Sequence, residues 1–97
     1  MTLGELITQL EQFDGSWFVC VGFRAFGLCG SLGFIEGKLC LHHDYFVRIT
    51  VEQLLSKLKA CAYDRSEVLH VGVYTGPREI SGLRVEDSWV ILNLKER

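Results

Sequence analysis

No apolar run in these 97 residues approaches the ~20 that a membrane-spanning helix needs. The amino-terminal stretch is acidic and amphipathic rather than basic and then apolar, so it does not read as a secretory signal, and the expected compartment is the cytoplasm. Basic residues are scattered, 10 against 12 acids for a net charge of −2, and no basic stripe forms. Because phosphate contacts supply most of the affinity for nucleic acid, that partner is not expected. The four cysteines, Cys20, Cys29, Cys40 and Cys61, lack the short paired spacing of zinc sites. In a reducing compartment they read as free, mostly buried thiols.

Catalytic signatures are also missing. There is no nucleophile elbow, no supported pair of carboxylates and no helix-borne metal motif. Gly27, Gly30 and Gly33 have no following Lys-Ser/Thr and no helix behind them, so they suit turns and bulges rather than a phosphate cradle. His42-His43-Asp44-Tyr45 is the one cluster of catalytic-looking types, but neighbours on an extended chain point opposite ways and the two histidines cannot readily share a metal. Asp64-Arg65, Arg78-Glu79 and Glu86-Asp87 read as surface turn charges. No enzyme activity, cofactor or metal is expected.

What the chain does have is 48% apolar residues with 23% charged, enough for one folded domain spanning 1–97. Its pattern is written twice, in units 1–44 and 49–97. Leu3, Leu6, Ile7 and Leu10 form one apolar helical face, and Thr2 with Glu5 makes a capping box, so a helix is expected over Leu3 to Gln12. Thr50 with Gln53, and Val51, Leu54, Leu55 and Leu58, repeat the device. A strand follows each helix, Trp17 to Phe23 and Val68 to Tyr74, with Gly22 and Gly72 at matching points. Next come a turn-rich stretch, a short strand (Leu32 to Ile35, Leu83 to Val85), a tight turn at Glu36-Gly37 or near Asp87-Ser88, and a last strand (Lys38 to His42, Trp89 to Leu94). The expected fold is α+β: a duplicated α-β-β-β unit, a mainly antiparallel six-stranded sheet of two meanders, both helices on one face, and a pseudo-twofold axis between halves.

Alternation assigns Val19, Val21, Leu39, Leu41, Leu69, Val71, Val90 and Leu92 to the helix-covered side. It leaves Phe18, Cys20, Cys40, Val68, His70, Trp89 and Ile91 on the other, too apolar for a face in water. Phe18, His70, Trp89 and Ile91 are therefore candidate partner-binding residues. Arg24, Phe26 and Leu28 join them on a glycine-rich loop carrying anchor-type side chains. Cys20 and Cys40 could be neighbours on that face, with His70 in the position equivalent to Cys20, as a thiol-imidazole or partial metal site; free cysteines beside a histidine are the commoner arrangement.

The stretches Ile49-Thr50-Val51-Glu52-Gln53-Leu54, Val71-Gly72-Val73-Tyr74, Ile80-Ser81-Gly82-Leu83-Arg84-Val85 and Val90-Ile91-Leu92-Asn93-Leu94 resemble small orphan proteins of phages and prophages. Met1-Thr2-Leu3-Gly4-Glu5-Leu6 fits the same capped helix, whereas the Phe- and Cys-rich middle of the first half departs from it. The resemblance implies a mobile-element origin and carries no catalytic residues. Small proteins of that origin often bind and block a host macromolecule, anti-CRISPR proteins being one group. The leading expectation is thus a non-enzymatic protein-binding inhibitor of a host defence or regulatory complex. The alternatives are a homodimeric assembly protein that buries the sheet face, and a small-ligand or nucleotide-sequestering protein with a pocket at the pseudo-twofold axis near Tyr45 and Tyr74.

Overall fold

Two capping boxes start the two helices. In the computed structural model, which describes residues 1–22, 26–45 and 47–96, α1 spans Leu3–Leu10 and α2 spans Val51–Ala60. At the start of α1, the Glu5 amide donates to Thr2 Oγ1 (3.1 Å) and the Thr2 amide to Glu5 Oε1 (3.0 Å). At α2 the Gln53 amide donates to Thr50 Oγ1 (3.2 Å) and the Thr50 amide to Gln53 Oε1 (3.0 Å). Each helix's remaining first-turn amides are met by a loop of the other half of the chain. Leu3 and Gly4 donate to the carbonyls of Glu67 and Arg65, both at 2.9 Å; Val51 and Glu52 donate to those of Trp17 and Gly15, at 2.8 and 3.0 Å. The amides that a helix start leaves without partners are thereby satisfied inside the fold. Glycine at position 4 permits the close approach, since a Cβ there would lie 3.1 Å from the Arg65 oxygen.

The strands are β1 (Phe18–Val21), β2 (Leu28–Ile35), β3 (Lys38–His43), β4 (Ile49–Thr50), β5 (Leu69–Val73), β6 (Gly76–Glu86) and β7 (Trp89–Leu94). They form one open sheet in the order β2-β3-β5-β6-β7-β1-β4. The sheet has seven strands rather than the expected six, because Ile49 and Thr50, while capping α2, also pair with Val19 and Phe18. It is mixed: β3 runs parallel to β5 and β1 parallel to β7, and the other pairings are antiparallel. The parallel β3/β5 pair follows from α2, which serves as the crossover between them. The second half does make the expected meander, β5-β6-β7. The first half does not, because β1 leaves the β2-β3 hairpin and lies beside β7 at the far side of the sheet.

Two strands start earlier than their turn-like residues suggest. Glycine-rich β2 begins at Leu28, and β6 begins at Gly76 despite Pro77, Ser81 and Gly82. The long β6 pairs first with β5 through Gly76–Glu79 and then with β7, with an irregularity between Ile80 and Gly82 where the strand changes partner. Pro77 is tolerated near the strand start, where fewer ladder bonds are at stake. The β2-β3 hairpin closes through Glu36 and Gly37, both at positive φ (52° and 77°), the conformation a two-residue turn of this hand requires.

The eight residues that alternation assigns to the helix side all lie in one core with Leu3, Leu6, Ile7 and Leu10 of α1 and Val51, Leu54 and Leu58 of α2. The sheet curls around this core until the start of β2 touches β4 and β1. Lys57 Nζ on α2 donates to the Cys29 carbonyl (3.0 Å), and the Val21 amide to the Phe26 carbonyl (2.8 Å). Among the described residues no helix is long and apolar enough to cross a membrane.

Removing either cap hydroxyl leaves an N3 amide without its acceptor. Thr2→Ala and Thr50→Ala are each expected to lower unfolding stability by ~1 kcal/mol, read from urea denaturation midpoints at constant m-value. Acid should destabilise the fold. The Glu79 carboxyl is held below its ordinary value by hydrogen bonds, first from the Lys95 ammonium and then from the Met1 amino group. The Ser16 and Ser66 hydroxyls and amides do the same for Asp14 and Asp64. Each group's folded pKa lies below its unfolded one, so its contribution is present above the unfolded values near ~4–4.5 and disappears as pH falls through the folded ones. Glu79→Gln is expected to flatten the stability-pH slope below pH ~4.5.

An aromatic cleft at the strand ends

β5 and β7 are both antiparallel to β6, and β3 and β1 are parallel to them, so β1, β3, β5 and β7 all point the same way. Their carboxyl-terminal ends, at Val21, His43, Val73 and Leu94, gather around a cleft of about 320 Å³. Phe26 and Tyr45 enter it from the first half of the chain, and Tyr74, Thr75 and Arg78 from the β5-β6 hairpin. The Phe26 and Tyr45 rings are 4.9 Å apart, and His43 sits 5.0 Å from Tyr45 and 5.9 Å from Phe26, an aromatic triad of tilted and edge contacts. His43 Nδ1 lies 3.4 Å from the Gly72 carbonyl, which orients the ring. Tyr45 is 59% exposed and Tyr74 fully so, which is unusual for such large apolar rings on one concave surface. Arg78 Nε and Nη2 both donate to the Lys95 carbonyl, at 3.0 and 2.6 Å, which fixes the guanidinium at the cleft.

The predicted binding residues divide among three environments. Phe26 lies ahead of β2, in a loop as expected, and lines the cleft. Leu28 has no exposed surface and belongs to the helix-side core, because β2 begins there. Arg24 lies outside the described residues. On the outer sheet face Ile91 is 1% exposed, and Cys20 and Cys40 are fully covered. Part of that cover is Arg84, which stands opposite Ile91 on β6 and crosses β7 to donate to the Gly22 carbonyl (2.7 Å), while also holding Glu86 Oε2 (2.9 Å) and Asn93 Oδ1. Phe18 and Trp89 are half-buried cross-strand partners with rings 5.2 Å apart, and the Arg48 guanidinium lies 5.3 Å over the Trp89 ring.

Cys20 and Cys40 are not neighbours: β5, β6 and β7 lie between their strands, because β1 pairs with β7 instead of joining its own hairpin. Only Cys40 and His70 are adjacent, as cross-strand partners, with Glu79 on the far side of His70. Burial pushes the Cys40 thiol up, and it donates to the Lys38 carbonyl at 3.3 Å, which describes a structural thiol. His70 Nδ1 is enclosed without a hydrogen-bond partner. His42 and His43 diverge as neighbours on a strand should: His42 packs near Gly33 while His43 turns into the cleft.

Comparison with protein-family models, with curated proteins and with solved structures gave no match. Tyr45 and Tyr74, named from the sequence, both line the cleft. His43 and Arg78 were missed there, although each shares a strand face with core residues: His43 with Leu39 and Leu41, and Arg78 opposite Val71. A fully exposed ring adds nothing to the core. Tyr74→Ala is therefore expected to change unfolding stability by no more than ~0.5 kcal/mol, measured by chemical denaturation.

Proposed function

We propose that the chain is a non-enzymatic binding protein, a pseudo-dimer of two fused, related halves (1–44 and 49–97), and that it recognises its partner in the aromatic cleft. The duplication is supported by reciprocity, the signature of a twofold interface, in which residue i meets j and j′ meets i′. Leu3 and Gly4 take the carbonyls of Glu67 and Arg65; their counterparts Val51 and Glu52 take those of Trp17 and Gly15. Thr2 bridges to Val68 as Thr50 bridges to Phe18. Val19-Val90 and Cys20-Ile91 match Leu69-Leu39 and His70-Cys40 across the two parallel pairs. Asp14 accepts from the amide and hydroxyl of Ser16 as Asp64 does from Ser66.

One observation carries the binding role: two exposed tyrosines, Tyr45 from the segment that joins the halves and Tyr74 from the second half, line one concave site. Convergent aromatics around a cavity are the ordinary build of a recognition site. Taken with the resemblance to phage and prophage proteins, the role we propose is capture of a host molecule, as an inhibitor of a defence or regulatory complex of the anti-CRISPR kind. A second reading, self-association or protein docking through the outer face, draws on the half-buried Phe18-Trp89-Arg48 stack and on Val68, 41% exposed.

Capture from host lysate separates the two. The cleft reading expects a small molecule or macromolecule that co-purifies with the wild-type chain, is lost from the Tyr45→Ala/Tyr74→Ala double variant and is kept by Trp89→Glu. Retention by the double variant together with loss in Trp89→Glu, or a dimer by light scattering that Trp89→Glu dissolves, would move the site to the outer face.

A further inference from the structure

We infer that the cleft takes a flat aromatic ring joined to an anionic group, a ligand of mononucleotide size. The inference rests on the cleft being the recognition site and adds its ligand class. Three features define that class. The first is ring-binding surface: Phe26, Tyr45 and Tyr74 all line the cavity, with the Phe26 and Tyr45 rings 4.9 Å apart, and stacking on exposed aromatics is worth ~1–3 kcal/mol per base by alanine substitution where it has been measured in nucleic-acid binding. The second is charge. Among the described residues that line the cleft, Arg78 is the permanent charge, a cation, and no Asp or Glu is present.

Arg78 is also pre-positioned. Its two bonds to the Lys95 carbonyl use two of five guanidinium N–H donors, which holds the plane still and leaves the others for an anion. A fixed guanidinium is the usual partner of phosphate and carboxylate oxygens. The third feature is size. At about 320 Å³ the cleft lies at the low end of the ~300–1,000 Å³ of small-molecule sites, so it suits one ring with a short polar arm rather than a dinucleotide. An uncharged ring would leave Arg78 unused, and a bare anion would leave the aromatic rings in water.

Nucleoside monophosphates and aromatic carboxylates share this chemistry, and the test separates them. The full chain is titrated with AMP, GMP, CMP and UMP, with the four nucleosides, with indole-3-acetate and with inorganic phosphate, by calorimetry and by tyrosine fluorescence. At least one ring-bearing anion is expected to bind about tenfold or more tightly than its uncharged counterpart or than phosphate alone, with an affinity that falls as NaCl rises. Tightest binding by a monophosphate identifies a nucleotide; tightest binding by indole-3-acetate identifies a carboxylate. Arg78→Gln should erase the preference for the anion and Tyr74→Ala should weaken every ring-bearing probe. Arg78→Lys, which keeps the charge, should retain most of the preference even if the Lys95 contact loosens. Equal binding of nucleoside and nucleotide overturns the inference, as does the absence of any ring-bearing anion bound at millimolar concentration. If the probes fail while lysate capture still depends on Tyr45 and Tyr74, the ligand class is wrong and the cleft stands. If both fail, the cleft reading fails with it.

Discussion

The fold depends on how the two helix starts find their hydrogen-bond partners. A helix leaves its first amides without internal acceptors, and a small domain has few places to satisfy them away from water. Here each capping box handles the cap and N3 amides locally, and the loop ahead of the other half's strand supplies carbonyls to the two amides between. Neither helix can therefore be placed without the other half of the chain. That exchange draws β1 to β7 and β4, and it sets α1 and α2 side by side over a single core. It also occupies both helix starts, so the anion-binding capacity such ends often have is already used inside the protein.

The same exchange explains which parts of the fold could be read from the sequence. The caps, the helical faces and the eight inward-facing strand residues all rest on local chemistry: a hydroxyl three residues before a carboxylate or amide, and periods of 3.6 and 2. Each of these is present as expected. Strand order is not local. The pattern of the first half reads naturally as a three-stranded meander, yet β1 gains more by pairing beside β7, where Phe18 meets Trp89 and Thr50 at once. Placing Cys20 near Cys40 assumed that meander and fell with it. The length of β6 was hidden for a different reason, since Gly76, Pro77 and Gly82 carry turn signals that a strand start and a mid-strand irregularity can equally accommodate.

The apolar outer face was legible as a composition but not as a surface. Alternation places Cys20, Cys40 and Ile91 there correctly, yet it takes no account of long neighbours. In a strongly curled sheet Arg84 can lie across β7, keeping its guanidinium hydrogen-bonded while its stem covers apolar atoms. What stays partly open includes the Phe18-Trp89 pair under Arg48 and the edge at Val68, a smaller patch than the six apolar residues assigned to that face suggest.

The cleft owes its position to strand direction. Because β1, β3, β5 and β7 share one direction, their ends meet at one pole of the core, away from the helix starts that the loops have sealed. Ligands of open sheets containing parallel strands tend to sit outside such carboxyl ends, where connections diverge and leave a crevice. On the proposed duplication this pole lies on the axis between the halves, where equivalent positions face each other across a shared space. Perfect symmetry would give that space two identical walls. Instead Leu94 stands where the repeat would match His43, and the hairpin bearing Tyr74 and Arg78 shares the cleft with Phe26. On that proposal the helices and ladders keep the repeat, which serves the shared core, and the cleft departs from it, as a site proposed to hold one ligand in one orientation would.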